Sequence, residues 1–292
     1  MIAILRRRKL GNGSTKAIKM FLKNNHDKDI EIVRSDRIPD RDFDAVLRWG
    51  CTENFRHAPI CINTPEMIHT VNDKPGCRKA LIDAGIKAPF TFYTKEYIAQ
   101  ALNDGIWNEE QMFPLIGRPS HHAQGRKMVV SRNFEELERD ATSDYWSEII
   151  EKDREYRVYT FFGRILMVAE KVPTEVGRER LAWNHFGGGA VFNNVRWSDW
   201  PIECCKESLK AANVIGIDFA GVDVMEKDGV PYILEINSAH SLTAEYRQKT
   251  FAKALSWLID QIETTHEKPV HFEYPEHIRT YKSLILPHLR DR

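Results

Sequence analysis

Short apolar runs separated by turn residues predict a small parallel α/β layer at the start of the chain. Residues 2–5 form one apolar run, and a Gly-rich turn follows it. The amphipathic stretch 14–24 then predicts a helix with Ser14 as its N-cap. The apolar runs 30–33 and 45–49 predict two further strands, so the first 60 or so residues indicate an α/β lobe.

The middle of the chain predicts a helix pair and then a strand-loop-strand flap. Apolar residues recur at helical spacing over 67–84, but Pro75 must break this stretch or begin a second helix. Two extended segments, 113–116 and 127–130, enclose the polar, Gly-containing segment 117–126. After the flap, Asn133 is a predicted N-cap for a helix over 134–140.

The last part of the chain predicts two β-hairpins with helices between and after them. The expected elements, in chain order, are an extended segment at 146–150, a hairpin of 157–162 and 165–172, a helix at 203–213, a hairpin of 219–225 and 232–236, a helix at 245–266, and a short helix after Pro275. Asp228-Gly229 is the expected turn of the second hairpin.

Composition limits the classes of protein that fit this pattern. The 292 residues are 42% hydrophobic and 29% charged, which predicts a globular chain of two or three packed lobes. We expect an N-terminal lobe at 1–72, a central lobe at 73–150 and a C-terminal lobe at 151–292.

Charge and cysteine content narrow the expected partners and compartment. Forty-two basic side chains balance forty-two acidic ones, so net charge does not indicate nucleic-acid binding, although a nucleic-acid or protein acceptor stays possible. No apolar run is long enough to cross a membrane. The five cysteines include no CxxC pair, which favours reduced thiols and a cytoplasmic location.

The hairpin at 219–236 carries the most informative chemistry. If its turn is centred on Gly229, Asp223 lies opposite Glu235, and Asn237 lies on the same face. Two carboxylates about 5 Å apart repel by roughly 3 kcal/mol at an effective dielectric of about 20. The pair therefore predicts a compensating divalent cation, and these hard oxygen ligands favour Mg²⁺. A different register, with both carboxylates facing water, is the alternative.

A phosphate-binding flap is the second candidate site. The segment Gly11-Asn12-Gly13-Ser14-Thr15-Lys16 lacks the spacing of a P-loop. Within the flap, Arg118 ends the first strand, Gly125 lets the loop bend back, and Arg126 adds a second cation. Such a flap can close over a triphosphate, although an ordinary solvated hairpin has the same composition.

The order of these segments resembles the ATP-grasp superfamily. The resemblance covers about residues 60–245 and lies closest to the carboxylate-amine ligases related to ribosomal-protein glutamate ligases and to phage-encoded members. The segments that carry it are Ile62-Asn63-Thr64-Pro65, Asp73-Lys74, residues 81–89, the flap, Trp146-Ser147-Glu148-Ile149-Ile150, Asp153-Arg154-Glu155-Tyr156-Arg157-Val158, the glycine-rich loop at 187–189, Asp223, and Glu235-x-Asn237.

This resemblance implies a fold and a reaction. The implied fold is α/β with α+β lobes, in which a nucleotide lies between two β-sheet lobes behind an N-terminal pre-ATP-grasp lobe. The implied reaction is ATP-dependent ligation of a carboxylate to an amine through an acyl phosphate. The expected cofactors are ATP and Mg²⁺, with Mn²⁺ possible, and the expected substrates are small-molecule or peptide carboxylates and amines.

The resemblance also implies roles for individual residues. Nucleotide-binding roles fall on Lys74, Arg118, Glu148, Ile149, Ile150, Glu155, Lys171 and Asn184. Arg118 stands where the family usually has a phosphate-binding Lys, Glu148 to Ile150 match the adenine hinge, and Glu155 matches the acceptor for the ribose hydroxyls. The expected catalytic residues are Arg157, Lys171 and Arg118, and the expected magnesium ligands are Asp223, Glu235 and Asn237.

Some residues and functions stay open at this stage. Gly221 stands where the D-alanine ligases have an Arg, so an oxyanion stabiliser must come from elsewhere. For His121 and His122 we expect a phosphate or substrate contact rather than zinc binding. The alternative functions are a phosphotransferase on the same fold and a non-catalytic nucleotide- or nucleic-acid-binding module.

Overall fold

Four parallel strands and a helix form the first lobe, and three of these strands and the helix were predicted from the sequence. The structure, a computed structural model, describes residues 1–8, 12–120, 127–183 and 188–273. The lobe contains β1 (Ile2–Arg6), α1 (Asn12–His26), β2 (Ile30–Arg34), β3 (Ala45–Trp49) and β4 (Ile60–Ile62), with strand order β2-β1-β3-β4. All three strand pairings are parallel. Strand β4 was not predicted from the sequence.

The prediction that Ser14 caps α1 is wrong. The helix begins at Asn12, so Ser14 lies inside its first turn. Its hydroxyl instead accepts a hydrogen bond from the backbone N–H of Leu242 at 3.1 Å. Ser14 therefore ties α1 to a loop that follows the last strand of the protein.

The predicted helix pair is confirmed as α2 (Pro65–Asn72) and α3 (Lys74–Asp83). Between them, the Asp73 carboxylate accepts a hydrogen bond from the backbone N–H of Gly76 and caps α3. Pro75 lies in the first turn of α3, where its missing N–H would have no helical partner. The break at Asp73 places Lys74 at the start of the new helix.

The central lobe is a four-stranded antiparallel sheet with small helices. Its elements are β5 (Thr91–Phe92), α4 (Lys95–Asn103), α5 (Glu109–Met112), β6 (Leu115–Arg118), β7 (Val129–Ser131), α6 (Phe134–Arg139) and β8 (Tyr145–Glu148), with strand order β5-β8-β6-β7. The predicted flap strands are confirmed as the β6–β7 pair. Asn133 caps α6 as predicted, since its Oδ1 accepts from the Glu136 N–H at 2.8 Å.

A five-stranded antiparallel sheet forms the C-terminal lobe. Its elements are β9 (Arg154–Phe161), β10 (Arg164–Pro173), α7 (Glu175–Arg178), β11 (Ala190–Val195), α8 (Ile202–Ile215), β12 (Phe219–Lys227), β13 (Val230–Asn237) and α9 (Glu245–Thr265), with strand order β11-β10-β9-β12-β13. Both predicted hairpins and both long helices are confirmed. The short helix predicted after Pro275 lies outside the described residues.

One large core joins the first lobe to the C-terminal lobe. Side chains of the first sheet, such as Ile4 and Leu47, belong to the same buried cluster as Phe219 and the α9 residues Phe251 and Leu258. The central lobe has a core of its own. Each sheet lies within one of the three predicted segments, and the boundaries at 72 and 150 remain a prediction. None of the described helices is long and apolar enough to span a membrane.

Candidate active site

Asp223 and Glu235 face each other on β12 and β13, as the sequence predicted. The turn between the strands has two residues, Asp228 and Gly229, both with positive φ. That turn alone would pair Asp223 with Leu234. A β-bulge next to Asp223 and Val224 adds Leu234 as an unpaired residue and moves Glu235 into register with Asp223. The alternative register, with both carboxylates facing water, is therefore wrong.

Arg78 holds this bulge and was missed by the sequence analysis. Its Nε donates to the carbonyl oxygen of Leu234 at 3.0 Å, and its Nη1 donates to Thr91 Oγ1 at 3.2 Å. The side chain is buried, and burial together with the neighbouring Arg118 lowers the pKa of Arg78 to about 10. Arg78 thus connects α3, the bulge and the central lobe. No local pattern marks it, because its partner lies 156 residues away.

Asp223 is buried between two cations. Arg157, on the adjacent strand β9, donates from Nε and Nη2 to the two carboxylate oxygens at 2.6 and 2.7 Å. Lys171 Nζ lies 3.0 Å from the second oxygen. Burial alone would lower the pKa of Arg157 and of Lys171, but the Asp223 carboxylate raises both above their ordinary values.

Glu235 has its own cation and an amide neighbour. Its carboxylate forms an ion pair with Lys74, and Asn237 Nδ2 donates to Oε1 at 3.0 Å. Burial alone would raise the pKa of Glu235, but Lys74 and Asn237 together hold it well below its ordinary value. The Glu235 carboxylate is therefore ionised at neutral pH.

Protein cations surround the Asp223–Glu235 pair. The repulsion between Asp223 and Glu235 was expected to require a divalent cation, yet Lys74, Arg157 and Lys171 already compensate it. Within the described ranges, no three His, Cys, Asp or Glu side chains are grouped closely enough to hold a metal ion. The predicted set relies on the amide oxygen of Asn237 as its third ligand. Its donor chemistry still fits Mg²⁺, since all three side chains offer hard oxygens on one face of the hairpin.

Glu155 occupies a second buried acid site. Its two oxygens form ion pairs with Lys152 and Lys171, and only 2% of the residue is exposed. Lys152 was missed by the sequence analysis, although it lies only three residues before Glu155. Its Nζ also lies 4.6 Å from the centre of the Trp183 ring. The predicted contact of Glu155 with a ribose remains a prediction.

The remaining nucleotide-site candidates lie on the central lobe. Arg118, at the end of β6, donates from Nη1 to Ser147 Oγ at 2.9 Å. Glu148 ends β8, and its Oε1 accepts from the backbone N–H of Phe90 at 2.9 Å, while its own N–H donates to the Phe90 carbonyl. These two bonds hold Glu148 at the end of β8, and Glu148, Ile149 and Ile150 all line the cleft.

One cleft of about 1250 Å³ brings the predicted residues together. The candidate site residues that line it are Lys74, Arg118, Glu148, Ile149, Ile150, Glu155, Arg157, Lys171, Asp223, Glu235 and Asn237. These are all the candidates that lie in the described part of the chain. Asn184, His121, His122, Gly125 and Arg126 lie outside it.

His240 fills the space beside Gly221. A Cβ at Gly221 would lie 3.0 Å from the His240 ring. Burial lowers the pKa of His240 to about 3, so its imidazole is neutral and Nδ1 donates to the Asn237 carbonyl at 3.2 Å. The ring therefore occupies the position where a longer side chain would lie. Trp49 is buried in the core, whereas Trp183 lines the cleft.

Comparison with known proteins places this cleft in a family. Residues 71–259 match the model of the RimK-like ATP-grasp domain. A coenzyme γ-F420-2:α-L-glutamate ligase of Methanococcus maripaludis is 25% identical over 67% of this chain and 68% of its own. A probable α-L-glutamate ligase 2 of Hahella chejuensis is 26% identical over 68% of this chain and 66% of its own. The alignments thus span about two thirds of these curated relatives.

Solved structures share the fold. The ATP-grasp ligase PsnB in complex with a minimal precursor superposes with a TM-score of 0.63 and 15% identity over 87% of this chain and 98% of that chain. The D-alanine–D-alanine ligase of Bacillus anthracis in complex with ATP gives a TM-score of 0.59 and 18% identity over 90% of this chain and 98% of that chain.

These findings settle the class of protein. The predicted ATP-grasp fold and the predicted class of ADP-forming carboxylate-amine ligase are confirmed. The resemblance to phage-encoded members stays a prediction, since the curated relatives named above come from cellular organisms. The chain belongs to the RimK-like ATP-grasp family.

Proposed function

We propose that this cleft binds ATP and a substrate carboxylate, and that an amine then attacks the activated acid. In the first step a carboxylate oxygen attacks the γ-phosphorus, and the bond to the β,γ-bridging oxygen breaks to release ADP. In the second step the amine attacks the acyl carbon of the acyl phosphate, and phosphate leaves as the amide forms. The observation that carries the proposal is the Asp223–Glu235 pair, which lies among cations in one cleft with every described nucleotide-site candidate.

Asp223, Glu235 and Asn237 would hold Mg²⁺, and Mn²⁺ could use the same oxygens. A bound divalent cation would neutralise charge on the phosphates of ATP. One structural neighbour, PsnB, was solved with its precursor, Mg and ADP, which supports the choice of metal. The lysines that now pair with these acids have flexible stems and line the same cleft.

Cationic side chains of the cleft would bind the triphosphate. Lys74 and Lys171 would exchange their carboxylate partners for phosphate oxygens, and Arg118 would add a planar fork of donors. Arg157 would orient the substrate carboxylate or the acyl phosphate beside Asp223. Phosphoryl transfer needs positioning and charge neutralisation more than a protein nucleophile, and these residues supply both.

The nucleoside would lie against the central lobe. Glu148, Ile149 and Ile150 would meet the adenine edge through their backbone, Glu155 would accept the ribose hydroxyls, and Asn184 would contact the phosphates. The β6–β7 flap would close over the triphosphate and exclude water, which would otherwise hydrolyse an acyl phosphate.

The substrates we propose are an amino acid and an acid of small-molecule or peptide type. Two curated relatives are named as glutamate ligases, and PsnB was solved with a precursor. A protein or nucleic-acid acceptor is a further possibility that the balanced net charge does not indicate. A cytoplasmic location agrees with the five free thiols, which reducing compartments maintain.

Measuring ADP release over a panel of amino acids and peptides, with mass detection of the products, tests this proposal. We expect release to require both an acid and an amine, and an amide product to appear. Asp223→Asn should lower turnover by roughly 100-fold or more while the protein stays folded. The variant lacks the carboxylate that is proposed to hold Mg²⁺, and the reaction depends on neutralising the charge of the phosphates. Asp36→Asn, at an exposed ion pair, is the matched control.

Two results would contradict the proposal. A stable phosphorylated product formed without any amine would indicate a phosphotransferase. Undiminished turnover in Asp223→Asn would show that the metal site lies elsewhere.

A further inference from the structure

Arg247 differs from four other cations that line the cleft. Lys74, Lys152, Arg157 and Lys171 all form ion pairs with cleft acids. Arg247 is only 5% exposed and lines the same cleft, yet no Asp or Glu of the described chain forms an ion pair with it. A buried charge without a counter-ion is costly, so the site is short of one anion.

The guanidinium of Arg247 is held in a fixed position. Its Nε donates to Tyr246 Oη at 2.8 Å, and its Nη2 donates to the Phe192 carbonyl at 3.0 Å. Its central carbon lies 5.4 Å from the centre of the Phe192 ring and 5.3 Å from that of Tyr246. No described residue bonds to Nη1, so part of the planar fork is open to a ligand. A rigid fork of this kind suits a carboxylate or a phosphate.

The proposed binding of the triphosphate uses other cations than Arg247. The cleft is lined by eight cationic and four acidic side chains among the described residues. Arg78 and Arg118, which also have no carboxylate partner in the ion pairs of the described chain, lie on α3 and β6. Arg247 lies on α9 beside β11, at the opposite lobe. Because a magnesium ion cancels part of the triphosphate charge, a surplus of positive charge remains for a second anion.

Phe192 places Arg247 close to the reacting centre. The cationic groups of Arg157, Lys171 and Arg247 lie 5.3, 5.7 and 5.4 Å from the centre of this ring. Arg157 and Lys171 are engaged with Asp223, where the reacting carboxylate is proposed to lie. Arg247 is therefore near enough to hold another part of the same substrate or of its partner.

Unsatisfied polar atoms lie in the same region. Tyr159 Oη and His240 Nε2 are buried and have no hydrogen-bond partner among the residues that the structure describes. The two rings pack at 5.0 Å, and Arg157 and Arg247 act electrostatically on both. Buried polar atoms are rarely left without partners, and of these two residues His240 lines the cleft.

We propose that Arg247 is a substrate-binding residue whose guanidinium pairs with the α-carboxylate of a free amino-acid substrate. This inference rests on the proposed ligase function, because it assigns one of the two substrates of that reaction. The α-carboxylate does not react; Arg247 selects and orients the amino acid. Amino-acid derivatives without a free α-carboxylate are excluded.

Calorimetric binding of amino acids, measured with and without Mg–AMPPNP, tests this inference. The probes are the common amino acids, L-glutamate first, and L-isoglutamine, in which an amide replaces the α-carboxylate. We expect Arg247→Met to weaken L-glutamate binding by roughly 10- to 100-fold, the usual loss for charge-assisted hydrogen bonds. Isoglutamine should bind weakly to the wild type, and its affinity should be no lower for Arg247→Met. The affinity for AMPPNP should be the same in both proteins.

Two further variants separate this role from a structural one. Lys249→Met, two residues further along α9 and exposed, should leave amino-acid binding unchanged. Arg247→Lys keeps the charge without the planar fork, so it should show intermediate affinity, and it replaces Arg247→Met if that variant does not fold.

Other outcomes would contradict either the role of Arg247 or the proposed ligase function. The inference is overturned if Arg247→Met binds L-glutamate like the wild type, if isoglutamine binds as tightly as L-glutamate, or if the wild type binds nucleotide but none of the amino acids. If the wild type binds no AMPPNP, the proposed function fails, and Arg247-dependent binding of the amino acid alone still decides the inference.

Discussion

Glu155 shows how single residues of this site depend on each other. The carboxylate is buried, and burial alone would raise its pKa. Lys171 and Lys152 outweigh that effect and hold the pKa of Glu155 below its ordinary value. Glu155 is the only described carboxylate that pairs with Lys152, and it shares Lys171 with Asp223, so these residues form one electrostatic unit.

Removing the charge of Glu155 should therefore destabilise the fold. In Glu155→Gln, Lys152 loses its carboxylate partner and Lys171 keeps only Asp223, so the free energy of unfolding should fall by about 3–5 kcal/mol, the usual effect of breaking a buried pair. Urea unfolding measures this change. The matched control is Glu135→Gln, whose ion pair with Arg139 is exposed, and its effect should stay below about 0.5 kcal/mol. Equal effects of the two variants would contradict the buried-pair account.

The same carboxylates should make stability depend on pH. Folding lowers the pKa of Glu155 and of Glu235, so both stabilise the native state above the unfolded-state pKa of about 4.5. This contribution is lost as the pH falls from about 5 towards the lower folded-state values. Urea unfolding across this range should show a steeper loss in the wild type than in Glu155→Gln. Parallel pH profiles would show that Glu155 is not held ionised by its lysines.

At the residue scale, the sequence could identify acids and cations but not their pairing. Asp223, Glu235 and Arg157 carry local patterns on strands, and their presence in the cleft was predictable. Arg78 and Arg247 carry none, because their roles come from partners at Leu234 and Phe192. The partners of a long cationic side chain depend on the tertiary fold.

At the scale of elements, the β12–β13 hairpin combines a local turn with a distant constraint. Asp-Gly after alternating apolar residues predicts a tight turn, and the structure has positive φ at both turn residues. The bulge at Leu234 was not predictable from the hairpin, because Arg78 of α3 binds it. The predicted Asp223–Glu235 pairing is correct because turn and bulge together restore the register of a turn centred on Gly229.

Replacing a glycine should have opposite effects in two elements. Gly229 has φ +73° with open space around it, so Gly229→Ala should cost about 1 kcal/mol of unfolding free energy through backbone strain alone. Gly13 lies in helix α1, also with open space, and Gly13→Ala should stabilise the protein by up to about 1 kcal/mol. Urea unfolding of both variants tests this, and stabilisation by Gly229→Ala would contradict the turn geometry.

At the scale of the whole molecule, balanced net charge conceals a cationic cleft. The chain has forty-two basic and forty-two acidic residues, yet basic side chains outnumber acidic ones eight to four along the described cleft wall. Composition averages over the surface and could not reveal this excess. The shared core of the first and last lobes could not be predicted from the sequence either. It depends on α1 packing near α9 and on the Ser14–Leu242 contact.

The central claim is that the Asp223–Glu235 pair exchanges its protein cations for the metal of Mg–ATP. The most direct measurement is the affinity for AMPPNP as a function of Mg²⁺ concentration, in the wild type and in Glu235→Gln. We expect Mg²⁺ to tighten nucleotide binding by roughly 10-fold or more in the wild type, about 1.4 kcal/mol, and to have little effect in the variant. Glu110→Gln, at an exposed position of the central lobe, should behave like the wild type. Equal tightening by Mg²⁺ in Glu235→Gln and the wild type would contradict the claim.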